Sequence, residues 1–108
     1  MYIKRKKKSQ EEIEKNKEES ARMWLFWSLV WSGLKEKNCW ECGEYLGKEM
    51  KSYMFDHLLE QNKYPELKYE KENMFICCGH CHTKKTNGFP GPKHKEAIEK
   101  VKLKYNVR

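Results

Sequence analysis

Two identically spaced cysteine pairs, two short β-prone segments between them and helical patterning at both ends predict a small α+β domain, its core preceded and followed by a helix. The pairs are Cys39-Trp-Glu-Cys42 and Cys78-Gly-His-Cys81, with thirty-five residues between them. A chain of 108 residues, 38% hydrophobic and 36% charged, can bury only a modest core, and domains of this size commonly lean on a metal or disulfides. One Cys-x-x-Cys turn brings two thiolates to an ion at about 2.3 Å, and a second turn completes a tetrahedron. Cys39, Cys42, Cys78 and Cys81 are therefore the expected ligands of a structural Zn2+, closed to substrate because no coordination position stays open. The fifth cysteine, Cys77, reads as a small packed side chain.

The elements follow in order. Residues 1–8 contain Lys4-Arg5-Lys6-Lys7-Lys8 and no acid, the composition of a basic disordered arm. Ser9-Gln10-Glu11-Glu12 matches a capping box, so residues 9–36 read as an N-terminal helix with Gly33 near its end. Its first half is rich in Glu and Lys. In its second half Trp24, Trp27, Trp31 and Leu34 recur at helical spacing, and Met23, Phe26 and Val30 widen the stripe. Such a stripe must be covered, by the zinc-bound body or by a helix of a second chain. Residues 37–108 form the remaining domain. In it, 52–59 and 73–77 read as strands, and 60–72 as a loop with a helical turn at Pro65. A helix starts near Gly79, and Gly88-Phe-Pro-Gly-Pro92 breaks it. Lys93 to Tyr105 reads as a basic C-terminal helix, with Ala97, Ile98, Val101 and Leu103 supplying apolar contacts.

Charge and hydropathy exclude other classes. The longest apolar run, Met23 to Trp31, is nine residues and contains Ser28, whereas a membrane span needs about 20. The N-terminal basic stretch leads into polar sequence, unlike a secretory signal. The expectation is a cytoplasmic protein without a membrane partner. The net charge of +7 is uneven: residues 83–108 carry eight basic and two acidic groups, and 9–82 carry ten basic and fourteen acidic. Two basic ends around an acidic middle suit a polyanion, and equally suit two solvated tails.

Asp56-His57 closes the first strand, Asn73 opens the second, and His82 follows the second cysteine pair. In the order Phe55-Asp56-His57-Leu58-Leu59, Tyr64-Pro65-Glu66-Leu67 and Asn73-Met-Phe-Ile-Cys-Cys-Gly-His-Cys-His82, framed by the cysteines, the chain resembles the HNH endonuclease family and its ββα-metal (His-Me finger) core. It is similar in particular to zinc-stabilised, phage-type single-domain members. The likeness spans roughly residues 37–87. It implies a metal-dependent DNA endonuclease, nicking or cutting duplex DNA alone or alongside phage packaging or recombination proteins, and a phage or prophage origin.

Phosphodiester hydrolysis needs an activated water, stabilisation of the charged transition state and help for the departing oxygen. His57 is the candidate general base. Asp56 and His82 are the candidate ligands of a catalytic ion, Mg2+, Mn2+ or another divalent cation. The resemblance implies that Asn73 orients His57 by holding the loop. Lys84, Lys85, Lys93 and Lys95 are candidate phosphate contacts, of the kind that give salt-sensitive affinity with little base preference. Neighbouring strand residues face opposite ways, so either the strand ends at Asp56-His57 or ion and base flank the phosphate from different sides, the arrangement that suits in-line attack.

Each residue also has a plainer reading. Asn73 could be a turn or cap residue, His82 could displace a cysteine from the zinc, and His80 reads as solvent-facing or contacting phosphate. His94 has no supporting neighbours and reads as ordinary surface. The alternative function is a non-catalytic, zinc-stabilised nucleic-acid-binding module. A third is an interaction subunit acting through the tryptophan-rich helix.

Overall fold

The computed structural model describes residues 10–107; the basic arm expected over 1–8 and the capping Ser9 lie outside them. Helix α1 runs Gln10–Ser32. It ends at Gly33, whose N–H donates to the Leu29 and Val30 carbonyls, and Lys37 folds back onto the Trp31 and Leu34 carbonyls. A cation on these carbonyls suits the negative end of the helix. The aromatic stripe is covered in part. Trp27 stacks on Phe55 with centroids 5.3 Å apart, and Trp31 tilts against the same ring. Trp24, Leu25 and Leu29 remain exposed.

A tight hairpin carries the first cysteine pair. Asn38 bridges Tyr45, the Cys39 N–H donates to the Glu44 carbonyl, and the Leu46 N–H donates to the Lys37 carbonyl. Gly43 turns the chain at φ 80°, a left-handed conformation that a side chain would strain. The Trp40 N–H donates to the Ile76 carbonyl at 2.8 Å, fastening the hairpin to the end of the sheet.

The sheet is smaller than the sequence suggests. Strands β1 (Phe55–His57) and β2 (Met74–Ile76) pair antiparallel, Phe55 opposite Ile76, Asp56 opposite Phe75 and His57 opposite Met74. Ser52–Met54, expected as strand, is a 3-10 turn instead, and Asn73, expected to open the second strand, ends another, Lys71–Asn73. A third such turn, Pro65–Leu67, is the one expected in the loop. The short pairing still sorts side chains by face. Phe55, Met74 and Ile76 pack under α1 with Val30 and Met54. Phe75, on the other face, packs with Leu58, Leu59, Leu67 and Val101.

Helix α2 (Gly79–Thr86) grows directly out of the second cysteine pair, with Cys78 as its N-cap. Helix α3 (Pro92–Lys104) begins with proline in its first turn, where no N–H partner is needed. Its sheet-facing stripe is His94, Ala97, Ile98, Val101 and Tyr105. Leu103, expected among the contacts, is 79% exposed, because two residues beyond Val101 is about 200° around the helix. The architecture is a ββα core with a four-cysteine cluster, one helix before it and one after. Among the described residues, no helix is long and apolar enough to cross a membrane.

Candidate functional site

The four paired cysteines converge. Their sulfurs lie within 4.8 Å of one another, and Cys42 Sγ stands 3.8 Å from Cys78 Sγ. Four thiolates at about 2.3 Å from one Zn2+ have edges of about 3.8 Å, so donor set and spacing both fit zinc. Each pair carries its own N–H to sulfur contact, Cys42 N to Cys39 Sγ and Cys81 N to Cys78 Sγ. Burial raises the Cys39 thiol, yet the surrounding backbone N–H groups outweigh it and bring it down to about 7. Cys77 stands apart from the cluster, fully buried, its thiol pushed up to about 12 mainly by burial. His82 is not part of the cluster, and His80 is exposed.

A second centre lies where β1 ends. Asp56, His57, His82 and Lys85 line one cleft of about 510 Å³, walled on one side by Met23 and Trp27 of α1. His82 Nε2 is 3.6 Å from Asp56 Oδ1, too long for a hydrogen bond. His82 Nδ1 meets the Tyr53 carbonyl at 2.5 Å. A carbonyl only accepts, so Nδ1 carries the hydrogen and the Nε2 lone pair faces the carboxylate. One carboxylate oxygen and one imidazole lone pair at this separation form a donor pair that fits a divalent ion. Strand alternation puts Asp56 and His57 on opposite faces, and the end of β1 lets both reach the same cleft.

His57 Nε2 meets the Lys68 carbonyl at 2.9 Å, which by the same logic leaves the lone pair on Nδ1. The loop supplying that carbonyl is held by Asn73, fully buried among it. The Leu59 N–H donates to Asn73 Oδ1 at 2.8 Å, and Asn73 Nδ2 donates to the Leu59 and Leu67 carbonyls at 3.1 and 3.3 Å. Lys68 is tied from its other end too, its ammonium pairing with Glu19 of α1.

Residues 39–88 match the model of the HNH endonuclease family. They are an HNH endonuclease domain. No curated protein and no solved structure matches the chain. The HNH domain takes in all four zinc-type cysteines, Asp56, His57, Asn73, His82, Lys84 and Lys85, and stops before α3.

Of the four lysines named from the sequence, Lys84, Lys93 and Lys95 are exposed. Lys85 turns into the cleft of the HNH domain, with its ammonium 3.1 Å from both Asp56 Oδ1 and the His57 carbonyl. The reading of His94 as ordinary surface is overturned: it has no exposed area, stacks on Phe75 at 4.0 Å and places Nε2 2.9 Å from Asp56 Oδ2. The signal that could have found it is the 3–4 spacing of His94, Ala97, Ile98 and Val101, which puts the imidazole on the apolar stripe of α3. Burial raises the Asp56 carboxyl, but the His94 hydrogen bond and the Lys85 ammonium outweigh it and hold the group below its ordinary value.

Proposed function

We propose that the protein is a metal-dependent DNA endonuclease, with His57 as general base and Asp56 and His82 holding one divalent ion, Mg2+ or Mn2+. What supports this most is the meeting of Asp56, His57 and His82 in one cleft of the HNH domain. The Lys68 carbonyl fixes the His57 ring, whose Nδ1 takes the proton from the attacking water. Asn73 acts at one remove, through the loop that presents that carbonyl. A divalent ion held by Asp56 and His82 would polarise the phosphate and stabilise the departing 3′ oxygen, the chemistry that leaves 5′-phosphate and 3′-hydroxyl ends. His82 and Tyr53 also line a neighbouring hollow of about 500 Å³ along α2, a path for the nucleic-acid backbone past the scissile linkage. Lys84, Lys93 and Lys95 contact flanking phosphates, so binding weakens with salt.

One observation favours the second reading, a non-catalytic nucleic-acid-binding module. The Lys85 ammonium occupies the Asp56 oxygen that an ion would use, as a neutralised, purely structural carboxylate would require. Plasmid nicking separates the two. With Mg2+ or Mn2+ the wild type nicks and His57→Ala does not, while the variant keeps its fold and its zinc. Equal nicking by the variant removes His57 from the role, and no nicking by the wild type under any divalent ion favours the binding module.

A further inference from the structure

The side chain that touches Asp56 most closely comes from outside the HNH domain. His94 sits on α3, six residues beyond the last position matched to the family. It has no exposed surface and is pinned from three sides. Its ring stacks on Phe75, the strand partner of Asp56. Its backbone N–H donates to Glu41 Oε2 at 3.1 Å, and Glu41 lies inside the first cysteine pair. Gly91, just ahead of it, leaves room for that carboxylate: a Cβ there would come within 1.4 Å of Glu41 Oε1. The N-terminus of α3 is thereby clamped to the zinc hairpin, and its first core-facing side chain is delivered to Asp56.

We propose that His94 is a positioning residue for the ion site: it holds Asp56 Oδ2 and so leaves Oδ1 turned to His82 and the cleft. The bond at 2.9 Å takes up one carboxylate oxygen; the other, which now accepts from the Lys85 ammonium at 3.1 Å, is the one 3.6 Å from His82 Nε2. The other ring nitrogen, Nδ1, is buried without a partner. An unpaired acceptor is tolerated in such a place better than an unpaired N–H, so the ring's hydrogen belongs on Nε2, donating to the carboxylate. A purely structural histidine in an apolar interface would be expected to satisfy both nitrogens or to be replaced by a hydrocarbon. This one leaves a nitrogen unpartnered and spends its single donor on Asp56. Partners of this kind beside a ligating carboxylate typically change metal affinity 10- to 100-fold when removed.

The inference rests on the reading of Asp56 and His82 as ion ligands, and the test keeps the two apart. The full-length, zinc-loaded protein is titrated with Mn2+, bound ion being read by electron paramagnetic resonance, alongside thermal unfolding and nicking at limiting and saturating Mn2+. His94→Gln retains a donor near the position of Nε2, whereas His94→Met is of similar length, stays apolar and lacks it. Val101→Ala, on the same stripe of α3, controls for loosened packing. The expected result is Mn2+ binding at least tenfold weaker in His94→Met, within about threefold of wild type in His94→Gln, and unchanged in Val101→Ala. Nicking by His94→Met is expected to recover at saturating Mn2+. Equal Mn2+ affinity in His94→Met and wild type overturns the role of His94 alone. A wild type that binds no Mn2+ overturns the ion site itself, and the role of His94 with it.

Discussion

Asn73→Ala tests how the loop between the strands is held. The side chain is fully buried and makes three hydrogen bonds, to both backbone groups of Leu59 and to the Leu67 carbonyl. These losses are unequal. The Leu67 carbonyl also accepts from the Glu70 N–H, so it keeps a partner. The Leu59 N–H and C=O lose theirs inside a residue that is 5% exposed. Each orphaned buried group costs roughly 1–3 kcal/mol, and a water entering the polar gap recovers part of that, leaving about 2–4 kcal/mol. For a domain near 100 residues this corresponds to a melting temperature lowered by about 10 °C or more. Asn73→Asp, though equal in size, is expected to be no milder, since a carboxylate oxygen would face the two carbonyls that now receive N–H groups. Melting is followed by circular dichroism at fixed excess zinc, and nicking is measured well below both midpoints. There both variants should keep their zinc and nick more slowly, because the Lys68 carbonyl that orients His57 is next to Leu67. A shift under about 3 °C for Asn73→Ala, or an Asp variant as stable as wild type, would refute this account of the loop.

The remaining predictions concern the zinc hairpin. Cys77→Ala should keep one zinc per chain and lose only about 1 kcal/mol of packing, while Cys39→Ala should lose zinc and cooperative melting together, as should the wild type under a strong chelator; metal content by colorimetric release checks both. Gly91→Ala should destabilise the wild type by about 1–3 kcal/mol, because its Cβ meets Glu41, and should cost much less in a Glu41→Ala background. The coupling is read from a double-mutant cycle of denaturant midpoints, and additive costs would show that the two residues do not meet.

How much of this was legible in the sequence depends on the range of each signal. The cysteine pairs carry their meaning within four residues each, and only one common ion makes sense of both, so the cluster could be anticipated from spacing. The helices were legible in outline because patterning and breakers such as Gly33 and Pro92 are local. The strands were not legible in length. Ser52 to Met54 has the composition of a strand, but beyond Cys77, whose N–H reaches the Met54 carbonyl, the partner segment turns into α2, and composition does not record what the partner can supply. The candidate site divides in the same way. Asp56, His57, Asn73 and His82 lie in a stretch whose order carries information. His94 reads as surface because its significance depends on α3 folding back across Phe75, a contact thirty-eight residues from Asp56. Lys85 looks like any lysine at the end of a basic helix until the cleft places a carboxylate beneath it.

The three-residue strand β1 explains why both flanking helices bear on the site. Its alternation gives Asp56 to the face under α3 and His57 to the face under α1. Each residue is then held by that side's own contacts: Asp56 by His94 of α3, His57 through the Lys68 carbonyl, whose residue pairs with Glu19 of α1. Among the described residues, Lys85 is the one side chain that hydrogen-bonds both, reaching the Asp56 carboxylate and the His57 carbonyl. A cation binding between Asp56 and His82 would have to displace that ammonium from Asp56 Oδ1. The released lysine would then face the cleft, so that on the proposed reading binding the ion and gripping a substrate phosphate would be coupled through a single side chain at the end of α2.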